Sequence, residues 1–233
     1  MAIIYGRADS EKQLLNNYPK EVTKIEDIPK MHEYFKEKLK EEEKGFFAPF
    51  RKWNKQRQVN KFEKNKDNPL HPGAKGELQV LKKLSQLGND YHVFCGVNIG
   101  LPNYVTYNGK KNLGSAQMDF VVVSQKGVIL IEVKNWSTEY FKNHDKFDKL
   151  NPYEQTDRAG MVLWIFLKSW RFSPRVTNVL LSIQSNMDYN RNYRHVFVSN
   201  LDKINYFIEN RKEELSERDV EKIVGNLKHY VTK

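Results

Sequence analysis

Two neighbouring apolar runs that carry charges constrain the fold of this chain more than any other feature. Residues 118–123 read Met-Asp-Phe-Val-Val-Val, residues 128–134 read Val-Ile-Leu-Ile-Glu-Val-Lys, and the link Ser124–Gly127 joins them. Both runs are rich in β-branched residues and are bounded by turn residues, which predicts the two antiparallel strands of a hairpin. With the middle two residues of the link at the turn, Asp119 lies directly opposite Glu132.

The predicted hairpin gathers its three charges on one face. Glu132 and Lys134 share a face because side chains alternate along a strand, and Asp119 joins them across the pair. Two carboxylates about 5 Å apart repel each other by roughly 3 kcal/mol at an effective dielectric of about 20. A divalent cation such as Mg²⁺ removes that conflict. The alternative is a surface hairpin with an ordinary exposed charge cluster, but runs that are apolar on both faces favour a covered sheet.

Composition favours a folded protein with a polyanionic partner. At 233 residues, with 39% apolar and 12% aromatic residues, the chain can bury one substantial core, so we expect one compact domain with an attachment. The excess of 39 Lys and Arg over 29 Asp and Glu gives a net charge of +10, which favours nucleic acid as the partner. The oligomeric state has no signal in the sequence.

The single cysteine and the absence of long apolar runs bear on the compartment. Cys95 has no second cysteine to pair with, so no intrachain disulfide forms and a reducing cytoplasm is expected. No apolar run reaches the ~18 residues of a membrane span, and the first residues lack a signal-peptide pattern. We therefore expect no membrane association.

The chain divides near residue 71, where a charged, helix-prone first part ends. Residues 1–70 are predicted to be a basic helical extension, and residues 71–233 an α/β domain. In the extension, Asp27 and Pro29 begin one helix, which is predicted to run to Glu43, and a second helix spans about residues 48–66.

Basic and aromatic residues interleave between Lys44 and Lys66, a pattern that can grip phosphates and stack on bases. The candidate nucleic-acid contacts in this stretch are Arg51, Lys52, Lys55 and Arg57. The alternative is a solvated helix that packs its aromatic residues onto the main domain, or a site for a protein partner within residues 1–70.

The predicted α/β domain begins with a helix over residues 74–87, in which Glu77 lies on the inward apolar face. A buried carboxylate needs a partner; the alternative is a Glu at the edge of the apolar stripe that pairs with Lys75 or the helix amino terminus. A strand over 91–98 follows. Residues 100–115 are predicted to be a loop that is long enough to touch substrate, and this loop carries Lys110 and Lys111.

The rest of the domain is predicted to continue with a polar insertion over residues 135–150, a helix, a strand over 193–199 and a terminal helix. His144, Asp145 and Asp148 in the insertion fit no standard set of metal ligands, so a solvated loop is the favoured interpretation. Asn151-Pro152-Tyr153-Glu154 is a strong helix start, which places Gln155 in the first turn with its amide towards the sheet. Ser216 caps the terminal helix.

Four motifs in this order resemble the PD-(D/E)xK nuclease superfamily, and within it the nuclease-related domain (NERD) family. They are Gly73-Ala74-Lys75-Gly76-Glu77, Gln117-Met118-Asp119-Phe120-Val121-Val122-Val123, Ile131-Glu132-Val133-Lys134-Asn135-Trp136 and Asn151-Pro152-Tyr153-Glu154-Gln155. The resemblance covers about residues 72–198. It implies a restriction-endonuclease-like α/β core, ordered helix, three strands, helix, strand, with a mixed central sheet flanked by helices.

The resemblance also implies a metal-dependent nuclease. Asp119 and Glu132, with Glu77 as a further candidate, would hold Mg²⁺ or Mn²⁺, while Lys134 and Gln155 would assist phosphodiester cleavage of DNA. Related nucleases have a tyrosine four residues after the glutamine, where this chain has Ala159. The substrate contact of that tyrosine is therefore lost, or another group such as Arg158 supplies it.

The alternative function is a non-catalytic nucleic-acid-binding or protein-interaction module on the same fold. The three charges of the hairpin favour the enzyme, because a pure binder of nucleic acid has no need for acidic groups that repel phosphate. Similarity of fold alone does not decide between the two functions.

Overall fold

A computed structural model describes residues 1–41, 48–66, 68, 70–137, 139, 151–169 and 174–232. The chain forms two compact units, one made of Met1–Asp9 with Gly76–Lys233 and the other of Ser10–Lys75. The first nine residues, which the sequence analysis assigned to the helical extension, belong to the first unit because Ile3–Tyr5 pairs with a strand of its sheet. The candidate cluster of His144, Asp145 and Asp148 lies outside the described residues.

The first unit is built on one six-stranded mixed sheet. Its strands are β1 (Ile3–Tyr5), β2 (His92–Tyr107), β3 (Lys110–Ser124), β4 (Gly127–Lys134), β5 (Val176–Ser182) and β6 (Val196–Asn200), adjacent in sequence order. The pairs of β2 with β3 and of β3 with β4 are antiparallel, and the other three pairs are parallel. The expected α/β class with a restriction-endonuclease-like, mixed central sheet is confirmed.

Helices cover both faces of this sheet. Numbered in chain order, the described α-helices are α1 (Asp9–Leu15), α2 (Ile28–Glu41), α3 (Ala48–Lys64), α4 (Leu70–Leu84), α5 (Pro152–Ser169), α6 (Ile204–Glu209) and α7 (Glu217–Leu227). Residues of α5 and α7 pack with Val121 and Leu130 on one face. Residues of α4 and α6 pack with Ile129 and Ile131 on the other. Strand β4 is therefore buried on both sides, as its continuous apolar run predicts.

The second unit is helical. After α1, a 3-10 turn at Ile25–Asp27 leads directly into α2, and α3 follows. Phe62 of α3 is buried, and its ring lies 5.8 Å from that of Phe35 and 5.4 Å from that of Tyr18, measured between centroids. The second unit thus has an aromatic core of its own, and α3 contributes to it.

The prediction of a loop over residues 100–115 is wrong. Strands β2 and β3 continue through it as a long antiparallel ribbon that turns at Asn108-Gly109. Both turn residues have positive φ, 47° and 79°, the geometry that Asn-Gly favours in two-residue hairpin turns. Lys110 and Lys111 are therefore exposed residues of a strand at the turn of the ribbon.

The predicted order of strands was incomplete. The strand after α5 is β5 (Val176–Ser182), which the sequence analysis did not identify, and the strand expected over 193–199 is β6, the sixth in the sheet. Residues Arg191–Tyr193 form a 3-10 turn before it.

Two predicted helix starts are confirmed, whereas α4 begins at Leu70 and not at the predicted residue 74. The Asn151 side-chain oxygen accepts a 2.9 Å hydrogen bond from the Tyr153 backbone N–H at the start of α5. The Ser216 hydroxyl accepts one from the Asp219 N–H at the start of α7. Among the helices that the structure describes, each is too short or too polar to cross a membrane.

Candidate functional site

The β3–β4 hairpin has the register that the sequence predicts. Ser124 pairs with Gly127 and Phe120 with Ile131, so the next facing pair in the same register is Asp119 and Glu132. Next to this pair, the Val133 backbone N–H bonds to a side chain: it donates a 2.7 Å hydrogen bond to Asp119 Oδ2. That bond fixes the carboxylate of Asp119 beside the end of β4.

Three side chains form a hydrogen-bonded row at the carboxyl end of β4. The Lys134 ammonium donates to Glu132 Oε1 at 2.8 Å and to Gln155 Oε1 at 2.9 Å. The Glu132 side chain is 3% exposed and that of Lys134 is 12% exposed. Gln155 reaches the row because the Asn151 cap and Pro152 start α5 one turn earlier. The structure thus brings together Asp119, Glu132, Lys134 and Gln155.

The carboxyl group of Asp119 is held in an unfavourable charge environment. Desolvation by the surrounding protein is the main reason that the pKa of Asp119 lies well above its ordinary value. The charges of Glu132 and Glu77 raise this pKa further. The ammonium of Lys134 and the hydrogen bond from Val133 lower this pKa without reversing the shift. Such a carboxylate gains stability when a positive charge binds beside it.

Lys134 is a cation in this environment. Burial lowers its pKa, but the charges of Glu132 and Asp119 and the hydrogen bond to Glu132 outweigh burial and leave the pKa raised. The side chain therefore acts as a charged hydrogen-bond donor, and it keeps its proton at neutral pH.

Glu77 lies near this row and is buried, with 5% exposure. Its charge raises the pKa of Asp119, and it contributes, after burial, to a pKa of about 12 for the Cys95 thiol. Gly76 allows this approach, because a Cβ there would lie 2.8 Å from the Asn135 Cβ and 2.9 Å from the Ile183 Cδ1. Helix α4 packs against the strand ends only with a glycine at this position.

The carboxylate oxygens of Asp119 and Glu132 are a donor set that fits a hard divalent cation. Glu132 Oε2 is buried and has no hydrogen-bond partner in the described part of the chain, and a buried carboxylate oxygen is costly without one. Carboxylate oxygens are the ligands that Mg²⁺ prefers, and it needs only one or two of them. Across the described residues, no three Asp, Glu, His or Cys side chains cluster closely enough to ligate one ion. Glu77 stays a predicted further ligand, and its charge raises the pKa of Asp119.

A comparison with protein-family models matched part of the chain. Residues 72–183 match the family model for the nuclease-related domain, NERD. The chain contains a nuclease-related domain. Membership of the PD-(D/E)xK superfamily is consistent with this match. No curated protein and no solved structure matched the chain.

All five candidate catalytic residues lie within the matched nuclease-related domain, and the match ends just after β5. The family therefore indicates a nuclease-related function for the segment that carries the row of Glu132, Lys134 and Gln155. Residues 1–71 and 184–233 lie outside the match.

Arg158 lies on the same helix as Gln155 but contacts the β2–β3 ribbon. Its guanidinium donates to the Asn112 backbone oxygen and side-chain oxygen, both at 3.2 Å, and lies 5.0 Å from the centre of the Tyr107 ring. It thus ties α5 to the β2–β3 ribbon. Ala159, at the position of the related tyrosine, is buried in the core between α5 and the sheet.

The four candidate contacts on α3 belong to the second unit, and Arg51, Lys52 and Arg57 are exposed. Trp53 and Phe50 are also exposed, and the Arg57 guanidinium lies 5.1 Å from the centre of the Trp53 ring.

Sequence reasoning missed two contributors to the site. Gly76 was part of a quoted motif, but its role depends on the close approach of α4 to Asn135 and Ile183, which no local pattern reveals. Trp136 was also quoted, and its ring centre lies 5.4 Å from the Lys134 ammonium. Trp136 lies two positions after Lys134 in the sequence, and a cation near a ring face is a favourable contact.

Proposed function

We propose that this nuclease-related domain is a metal-dependent nuclease that hydrolyses phosphodiester bonds of DNA. The observation that carries the proposal is the buried row at the end of β4, where Asp119 and Glu132 face each other and the ammonium of Lys134 lies 2.8 Å from Glu132. A binding module has no need for two facing carboxylates, which repel phosphate and each other.

The residues divide the chemistry between them. Asp119 and Glu132 would hold Mg²⁺ or Mn²⁺, which when bound offsets the charge of the phosphate and lowers the pKa of a water ligand. Lys134 donates hydrogen bonds towards the phosphate oxygens, where negative charge develops as water attacks phosphorus. Gln155 holds the ammonium in place through its Oε1. Glu77 adds negative charge, which strengthens the hold on a cation.

The direct test is cleavage of plasmid DNA by the purified protein. We expect nicking or cutting in Mg²⁺ or Mn²⁺, none in EDTA, and a loss of at least about 100-fold in Asp119→Ala and Glu132→Ala, the size expected when charge stabilisation is removed. Asp90→Ala, which removes an exposed carboxylate from the same unit, serves as the matched control and should cleave normally.

Equal cleavage by the wild type and both site variants would show a contaminating nuclease and refute the proposal. Binding of DNA without cleavage by the wild type would favour the non-catalytic module instead.

We also propose that helix α3 contacts DNA phosphates. Replacing Arg51, Lys52, Lys55 and Arg57 with Gln should weaken DNA binding and flatten its salt dependence, because each neutralised phosphate contributes about 0.9 to the logarithmic slope for duplex DNA. Fluorescence anisotropy at several salt concentrations measures this slope.

A control with the same loss of charge comes from α2 in the same unit. Its four substituted residues are Lys30, Lys36, Lys38 and Lys40, each changed to Gln. If both variants change the slope equally, the effect reflects net charge and α3 makes no specific contact. The residue 1–70 extension would then remain a scaffold or a site for a protein partner.

A further inference from the structure

A groove outside the described catalytic row runs along the open edge of the sheet. Strand β6 is the last strand of the sheet, so one of its edges is not paired with another described strand. The groove has a volume of about 830 Å³, which lies within the range of ligand sites. We call it the β6 groove and define it by six of its lining residues: Ser182, Tyr189, Phe197, Asn200, Lys203 and Tyr206.

Aromatic rings are exposed along the β6 groove. Tyr189 is 57% exposed, Phe197 is 40% exposed and Tyr206 is 71% exposed. Single exposed apolar residues are common on protein surfaces, but three rings around one groove form a platform. Two cations also line the groove, Lys203 and Arg211, against one acid, Asp188, among the described lining residues; Arg211 is paired with Glu214 at 3.5 Å, so Lys203 is the cation offered to a ligand. Rings interleaved with positive charge are the surface that stacks unpaired bases and neutralises their phosphates.

One strand, β5, separates the β6 groove from the strand that carries Lys134. In the strand register Lys134 pairs with Ser182, and Ser182 pairs with Asn200, so these residues form a row across three parallel strands at their carboxyl ends. The Ile183 N–H also donates a 3.1 Å hydrogen bond to the Lys134 carbonyl oxygen. The groove and the candidate site therefore lie at the carboxyl ends of neighbouring strands.

A hydrophobic cluster lies between the β6 groove and the surroundings of Lys134. Met187, which lines the groove, packs with Tyr153 of α5 and with Trp136, whose ring lies beside the Lys134 ammonium. The Tyr153 hydroxyl donates a 2.6 Å hydrogen bond to the Asp188 carbonyl oxygen. The wall of the groove is therefore fixed to the same helix that positions Gln155.

We propose that the β6 groove binds unpaired bases of a single nucleic-acid strand, stacked on Tyr189, Phe197 and Tyr206, one strand away from Lys134. This inference rests on the proposed nuclease function and names its substrate class as single-stranded nucleic acid, or a duplex with an unpaired end. Bases in an intact duplex stack on each other and offer no free face to these rings. A protein strand added to the β6 edge would use main-chain groups and would not need the rings.

The test compares two double variants by fluorescence anisotropy with labelled single-stranded and duplex DNA. Tyr189→Ala/Tyr206→Ala removes both rings, whereas Tyr189→Phe/Tyr206→Phe keeps the stacking faces and removes only the hydroxyls. Both tyrosines are more than half exposed, so neither change opens a cavity in the core. Lys134→Met is used as the background, so that binding is measured without cleavage.

We expect the alanine pair to raise the Kd for single-stranded DNA by at least about 30-fold, the lower limit for two stacked bases, and the phenylalanine pair to leave it unchanged. Duplex binding should change little in either variant. Unchanged single-strand affinity in the alanine pair would overturn the inference and leave the groove to a protein strand. An equal loss for duplex and single strand would also overturn it.

Failure of the nuclease proposal is distinguishable from failure of this inference. Cleavage that is absent in the wild type refutes the proposed function, whereas the anisotropy test needs no cleavage and can be repeated in the wild-type background. A wild-type protein that binds single strands through the rings without cutting them would keep the inference and refute the nuclease.

Discussion

Lys134→Met should lower the rate of DNA cleavage by at least about 100-fold while the Kd for DNA changes only a few-fold. The ammonium lies at the end of β4, fixed by Glu132 and Gln155 at 2.8 and 2.9 Å, and its raised pKa keeps it charged. A charge held in place before the reaction stabilises the transition state without reorganisation, and removing one such group costs about 10²–10³ in rate. Under the proposed function, we expect binding to be spread over many of the 39 basic residues.

The matched control is Lys126→Met, on the same hairpin. Lys126 is one of the turn residues, and its ammonium lies 3.4 Å from Glu213 at the surface, so this variant loses the same charge at a distance from the row. Plasmid cleavage and anisotropy should both stay near wild-type values in Lys126→Met. If Lys134→Met loses binding in parallel with cleavage, Lys134 is a docking charge and the catalytic role assigned to it is wrong.

Sequence alone was enough to place Asp119 opposite Glu132. Two β-branched runs around a four-residue link leave one turn position, and a strand period of two then fixes which side chains share a face. The pairing of Phe120 with Ile131 follows that register. Gln155 was also placed correctly towards the sheet, because the Asn-Pro start of α5 sets the phase of its apolar stripe.

Other features depend on parts of the chain that are distant in sequence. The β2–β3 ribbon was missed because the segment around Pro102 and the polar residues near the turn resemble a loop, although Asn108-Gly109 was itself a hairpin signal. Strand β5 was missed although its apolar run is visible at 179–181. The position of Glu77 depends on how closely Gly76 lets α4 approach Ile183, and the β6 groove forms only when β6, α6 and the segment after β5 converge.

Repulsion between Asp119 and the neighbouring carboxylates predicts that removing the Asp119 charge stabilises the metal-free protein but abolishes activity. Asp119→Asn keeps an oxygen that accepts from the Val133 N–H but removes the charge next to Glu132 and Glu77. Two like charges about 5 Å apart cost roughly 3 kcal/mol at an effective dielectric of about 20, partly offset by Lys134. We therefore expect the metal-free variant to melt several degrees above the wild type, at about 2–4 °C per kcal/mol for a chain of this size.

The sign of the pH dependence follows from the raised pKa of Asp119. A carboxyl whose pKa is higher in the folded state than in the unfolded state costs stability as pH rises from its ordinary value near 4 up to the folded value, and the cost is complete above that. The advantage of Asp119→Asn in thermal melts should therefore be largest at neutral pH and shrink towards pH 4. Asp90→Asn, an exposed carboxylate on the same unit, should show neither effect.

Added Mg²⁺ should raise the melting temperature of the wild type more than that of Asp119→Asn. A ligand that binds only the folded state stabilises it by about 2.7 kcal/mol at a concentration of 100 times its Kd. The wild type should therefore gain thermal stability with added Mg²⁺, and Asp119→Asn should gain little because one of the two ligands has lost its charge. The variant should also fail to cleave DNA. A variant that melts below the wild type without metal, or that keeps the full Mg²⁺ response, would show that Asp119 is a structural carboxylate rather than the cation ligand proposed for the site.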